Sequence, residues 1–125
     1  MTDRQTALFD KARRALETAR AVLKLGDAEA AVNRAYYAAF HAATAALLSV
    51  GEAPKTHAGA HQRFHLHFVA SGRLSRAQGE TLRHAFELRQ RADYEAFTVF
   101  DEAATANLIA DVEGFVETVV TLLTP

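Results

Sequence analysis

Residues 30–50, AAVNRAYYAAFHAATAALLSV, decide how the chain is read. At 100° per residue, Val32, Tyr36, Ala39, Phe40, Ala43, Leu47 and Val50 fall on one side, a stripe wide enough to face a core. Arg34, Tyr37 and His41 fall within about 60° of one another on the opposite side, and two helical turns, about 10.5 Å of rise, separate Arg34 from His41. Ala30, Ala38, Ala45 and Leu48 share that second side. The segment thus reads as a helix with one core face and one face of small residues around two polar groups. Small residues let another helix or a ligand come close, and arginine with histidine suits a phosphate. The strip of Ala30, Ala38 and Ala45 is too poor in bulky groups for a main core face, so it is expected at or beside a contact between two copies.

Outward from this helix the same periodicity continues. Leu8, Ala12, Ala15, Leu16, Ala19, Val22 and Leu23 predict a first helix from about Asp3 to Leu25. Gly26 ends it and Asp27 caps the central helix, which Gly51 and Pro54 stop near Val50. A third helix is predicted from near Thr56 to near Gly72. Ser75 with Gln78 has capping-box spacing and opens a fourth, from about Arg76 to Glu95. Asp101 caps a fifth, striped by Leu108, Ile109, Val112, Phe115, Val116, Val119, Leu122 and Leu123. Short connections between long amphipathic helices favour antiparallel neighbours. The expectation is an all-α, antiparallel up-and-down bundle of about five helices, with residues 1–125 forming one domain.

Composition agrees. Of 125 residues, 27 are alanine, half are hydrophobic, and only two are proline, a balance that favours helices. Without cysteine there are no disulfides and no thiolate metal sites. The start, MTDRQTALFDKARR, has no signal-peptide character, and no apolar run approaches the roughly 20 residues of a membrane span. A soluble cytoplasmic protein is expected. The net charge is only −1, yet residues 55–91 carry seven basic and two acidic side chains, and residues 92–125 carry seven acidic and no basic ones. The middle either offers a positive surface to a polyanion or is neutralised by the acidic C-terminal helix.

Arginine is a permanent cation with a planar fork for phosphate oxygens, and histidine exchanges protons near neutral pH. The two suffice for RNA cleavage without a metal. Histidine serves as general base or acid around the ribose 2′-hydroxyl and the leaving oxygen, while arginine steadies the charge of the transition state. The substrate supplies its own nucleophile, so no Ser or Cys is required. The plain structural alternative pairs Arg34 with a carboxylate such as Asp93 and bonds a half-buried His41 to a carbonyl.

Three segments in order, NRAYYAAFHAA at 33–43, KTHAG at 55–59 and FELRQRADYEAF at 86–97, resemble the HEPN family (higher eukaryotes and prokaryotes nucleotide-binding). The likeness is strongest to small stand-alone members with RAYYAxFHA, KTH and LRxxADY motifs, and it spans about residues 27–120. The resemblance implies a bundle of antiparallel helices that commonly forms a homodimer, with the arginine–histidine motif at the interface. It implies a metal-independent endoribonuclease of toxin–antitoxin or defence type, often encoded beside a minimal nucleotidyltransferase partner. The motif falls on Arg34 and His41. In many nuclease members a polar residue directly follows the arginine, whereas here Ala35 stands in that place. The second function class is therefore a non-catalytic nucleotide-binding or adaptor subunit presenting the same face to the nucleotidyltransferase.

The remaining candidates lie around that motif. The resemblance brings His57 near it, where with Lys55 it would touch substrate phosphate; the plainer reading makes Thr56 a helix cap with exposed neighbours. Tyr37 shares the motif's face. Asp93 and Tyr94 would orient Arg34 or His41, unless Asp93 pairs with Arg89 or Arg91 instead. His57, His61 and His65 stand four apart, a spacing zinc can use. No glutamate follows as in HExxH and no cysteine is present, so partly buried or interface histidines are the reading, with no metal and no cofactor.

Overall fold

The computed structural model describes residues 1–125 as five α-helices with no strand. They are α1 (Asp3–Lys24), α2 (Ala28–Leu48), α3 (His57–Phe64), α4 (Arg76–Tyr94) and α5 (Glu102–Leu123); a π-helical turn, His65–Val69, continues α3 without a break. Each α-helix starts where a side chain takes up an orphan backbone N–H: Thr2, Asp27, Thr56, Ser75 and Asp101 all accept from the residue three further on. At Thr2 the box is complete, because Gln5 Oε1 accepts from the Thr2 N–H in return. Gly26 and Gly51 turn the chain after α1 and α2 at φ +87° and +76°, a region L side chains rarely enter.

Cross-helix contacts give the directions. Gln5 Nε2 donates to the Ala45 carbonyl at 3.0 Å, while Val22 and Thr18 line a cavity with Ala30 and Asn33, so α1 and α2 are antiparallel. Arg89 reaches Tyr37, and Asp93 faces Asn33 and Arg34, so α4 is antiparallel to α2. Arg13 pairs with Glu117 at 3.1 Å and Arg20 with Glu113, which sets α5 antiparallel to α1. Hence α2 and α5 run one way and α1 and α4 the other. No helix is long and apolar enough to cross a membrane.

A single cluster of 30 buried apolar residues draws on all five helices, and α2 lies at its centre. Eleven residues of α2 are buried, eight of them alanines. Alanine lets neighbouring helices approach closely, so α1, α3, α4 and α5 all pack onto this one helix. This corrects the expectation for the small-residue strip. Ala38 and Ala45 are fully buried within one chain and Ala30 is half-buried, because α1 closes over that face. Ala38 and Ala45 thus serve the bundle itself, and of the three alanines only Ala30 keeps partial exposure, beside the equally half-buried Arg34 and His41.

The charge pattern also resolves. The acidic side chains of α5 that form ion pairs reach Arg13 and Arg20 of α1, and none reaches residues 55–91. The basic middle finds its partners locally: Arg63 and His67 on Glu52, Arg83 on Glu80 and Glu87, Arg89 on Asp93. Arg73 instead lies 4.7 Å over the Phe68 ring. In the π turn the Ala70 N–H reaches the His65 carbonyl at 2.8 Å, one residue beyond α-helical spacing.

Candidate active site

Asp27 sets the start of α2, and from there the 3.6-residue period places Asn33, Arg34, Tyr37 and His41 along a partly exposed edge of an otherwise buried helix. Arg34 makes no ion pair. Its Nε and Nη2 both donate to Asn33 Oδ1, at 3.3 and 3.0 Å, and its Cζ lies 5.1 Å from the centre of the Tyr37 ring. The guanidinium has five N–H donors, so this fixes its orientation and leaves the far side of the fork open. It opens onto a cavity of about 540 Å³ lined by Thr18, Asp27, Glu29, Asn33 and Asp93 among others.

His41 is half-buried, its ring 6.3 Å from that of Tyr37. Burial first, and then the cations Lys11 and Arg34, hold its pKa below the usual histidine value. The imidazole is therefore neutral near pH 7 and has a nitrogen lone pair to offer. Once protonated among two cations, it returns the proton readily. Those are the two halves of general acid–base work on a phosphodiester.

Asp93 does not pair with Arg34, although both line the same cavity. Its carboxylate lies 3.0 Å from Arg89 Nε, and Arg89 Nη2 donates to the Tyr37 hydroxyl at 3.2 Å. The Nε itself is buried and finds no well-aligned acceptor, since Asp93 sits to the side of its N–H. Arg89 also faces the rings of Tyr36 and Tyr37, each at 5.5 Å.

A second polar knot lies behind this edge. Tyr36 is fully buried on the core stripe, yet its hydroxyl meets His57 Nδ1 at 2.7 Å and His61 Nε2 at 3.1 Å. A phenol has one proton, so one imidazole accepts from Tyr36 and the other donates to it. His57 stacks on Phe40 at 4.2 Å, and His61 lies 4.4 Å from Phe86. Burial pushes the Tyr36 phenol up, pulls His61 down to about 4 and lowers His57, with His57 adding to the first histidine's shift and Arg89 to the second's. All three groups stay neutral at pH 7. His57 is thus anchored at one ring nitrogen, and His65 is exposed outside the knot.

Of the residues named from sequence, Arg34, Tyr37, His41 and Asp93 gather along the α2–α4 edge. His57 approaches from α3, its ring 6.1 Å from that of Tyr37. Lys55 is exposed in the turn before α3. Tyr94, 81% exposed, lies on another surface of α4 with Gln90 and Arg91. Sequence reasoning missed Asn33, Lys11 and the role of Arg89. Spacing shows Arg89 only as a partner for Asp93, although it stands inside the LRxxADY segment. Ala35 is fully buried, so the position that is polar in many nucleases belongs here to the core, and the polar neighbour of the arginine is the residue before it, Asn33.

Residues 6–122 match the HEPN domain. A UPF0332 protein of Thermotoga maritima is 33% identical over 113 residues, which cover 90% of this chain and 86% of the relative. A Methanocaldococcus jannaschii protein named "Putative toxin MJ0605" is 40% identical over 87 residues, 70% of this chain and 64% of the relative. Another from that organism, "Putative toxin MJ0142", is 33% identical over 89 residues, 71% of this chain and 60% of the relative. With the helix order, the arginine and histidine of α2 and this coverage in agreement, the chain belongs to the HEPN domain family.

Proposed function

We propose that the protein is a metal-independent endoribonuclease of toxin type. His41 takes the proton of the ribose 2′-hydroxyl, the freed oxygen attacks the neighbouring phosphorus, and the 5′-oxygen leaves with a proton returned by the same imidazole or by water. Arg34 meets the non-bridging oxygens, whose charge grows in the transition state. One observation carries this reading: a guanidinium bound to no carboxylate stands on the same edge of α2 as an imidazole held neutral by burial and by two cations. Kinship with proteins named as toxins supports it, and in such a system a minimal nucleotidyltransferase would be the restraining partner.

The test is purified protein with mixed-sequence RNA. His41→Ala should lower cleavage by about 10²–10⁴-fold and leave binding nearly intact, because the imidazole moves protons and need not hold the ligand. Arg34→Ala should weaken both. Cleavage should survive EDTA and yield 2′,3′-cyclic or derived 3′-phosphate ends, and a 2′-deoxyribose at the scissile position should block it. Wild-type protein that binds RNA or nucleotide yet never cuts, even when freed of any partner, would replace this reading with that of a non-catalytic binding subunit.

A further inference from the structure

Tyr37 stands three residues after Arg34 and four before His41, so it is the side chain on α2 that touches both. Its hydroxyl has one proton and two lone pairs. One lone pair is filled by Arg89 Nη2 at 3.2 Å, and no group of the chain accepts its proton. Arg89 is well placed to hold that oxygen. Its side chain is only 21% exposed, with the Asp93 carboxylate 3.0 Å from its Nε and the faces of Tyr36 and Tyr37 against its plane. A guanidinium donating to a phenol oxygen draws electron density from it and makes the remaining O–H a stronger donor. The little water around Arg89 does not screen this effect away.

We propose that Tyr37 is a third substrate-contacting group, donating its O–H to a non-bridging phosphate oxygen beside Arg34, and that Arg89, steadied by Asp93, is the positioning residue that aims it. The inference rests on the RNA-cleavage reading above and adds to it a neutral donor aimed at the developing charge. No proton is transferred through Tyr37. It donates a hydrogen bond that is stronger in the transition state than in the ground state, which is what raises a rate.

The same wiring says what each substitution removes. Tyr37→Phe takes away the hydroxyl and leaves the ring under Arg34. Arg89→Lys keeps the charge and loses the fork that spans Asp93 and Tyr37. Each should lower kcat by about 10–100-fold and leave KM within about threefold, since the contact matters chiefly in the transition state. The double variant should be no worse than Tyr37→Phe alone, because Arg89 acts through that hydroxyl. Arg34→Lys should add its own loss on top.

The experiment measures kcat and KM on an oligoribonucleotide, affinity for its uncleavable 2′-deoxy counterpart, and thermal midpoint, for wild type and these variants. Non-additive kcat losses that do not follow the thermal midpoints establish the proposal. A Tyr37→Phe variant that keeps wild-type kcat and wild-type affinity overturns it while RNA cleavage stands, and so does a change confined to the thermal midpoint, which would leave the hydroxyl a purely structural partner of Arg89. Wild type that binds the deoxy oligonucleotide without cutting RNA, and loses at least about fivefold in affinity on Tyr37→Phe, removes the nuclease reading but keeps Tyr37 as a phosphate contact. Protein that neither cuts nor binds overturns both.

Discussion

Acid should loosen this bundle through His61, and the size of the effect follows from its surroundings. His61 is packed against Tyr36 and Phe86 with its Nε2 on a buried hydroxyl, and its pKa falls from 6.5 to about 4. A depressed value in the folded state means the unfolded chain binds the proton more tightly. The stabilisation is therefore complete above pH 6.5 and is lost as pH falls towards about 4. Between pH 8 and pH 5 that loss is about 2 kcal/mol, and it approaches about 3 kcal/mol below pH 4. His57 and His41 are shifted in the same direction and deepen the loss. Urea unfolding at pH 8 and pH 5, for wild type and His61→Gln, isolates the group, because glutamine can still bond Tyr36 but does not titrate. The wild-type midpoint should drop by about 1 M more than that of the variant. Equal drops in the two proteins would refute the argument, whatever their absolute stabilities.

Two further outcomes test the packing. A Cβ on Gly79 would stand 2.6 and 3.0 Å from the two Val69 methyls, and valine has no freedom to swing aside, so Gly79→Ala should cost about 1–3 kcal/mol. The same change at Gly114, exposed inside α5 with nothing within 4 Å, should gain about 0.5–1 kcal/mol; thermal midpoints moving in opposite directions check the pair. Gln5→Ala leaves the buried Ala45 carbonyl without its donor and opens the Thr2 box, and should cost about 1–3 kcal/mol by denaturant midpoint.

Helix limits were legible because they are set locally. Thr56, Ser75 and Asp101 each cap the helix that the apolar period then carries forward, and the ends fall within a few residues of expectation. The shared edge of Arg34, Tyr37 and His41 was legible for the same reason, since it depends only on angles about one axis. What spacing along one helix cannot contain is the identity of the neighbours. An alanine-rich helix shows two faces that are both smooth enough to pack, so nothing in Ala38 or Ala45 says that α1 covers them. Tyr36 reads correctly as core, but its hydroxyl gains meaning only when α3 delivers His57 and His61 to it. Arg89 has an acidic residue four positions on, which is reason enough to stop at an ion pair. Its bond to Tyr37 joins residues 52 apart, and only the fold shows it.

The central position of α2 divides the candidate site into a fixed jaw and a yielding one. Four helices pack on α2 and leave part of one edge open, so its amides should be among the slowest to exchange, and Arg34 and His41 keep a fixed separation on one rigid helix. α4 buries only Leu82, Ala85 and Ala92 along its length, and it leads at its C-terminal end into an irregular connection to α5. Few buried contacts mean a low local opening energy. In the proposed reaction, adjustment to a phosphodiester would therefore fall to the backbone of α4, while His41 would stay preorganised on the axle of the bundle.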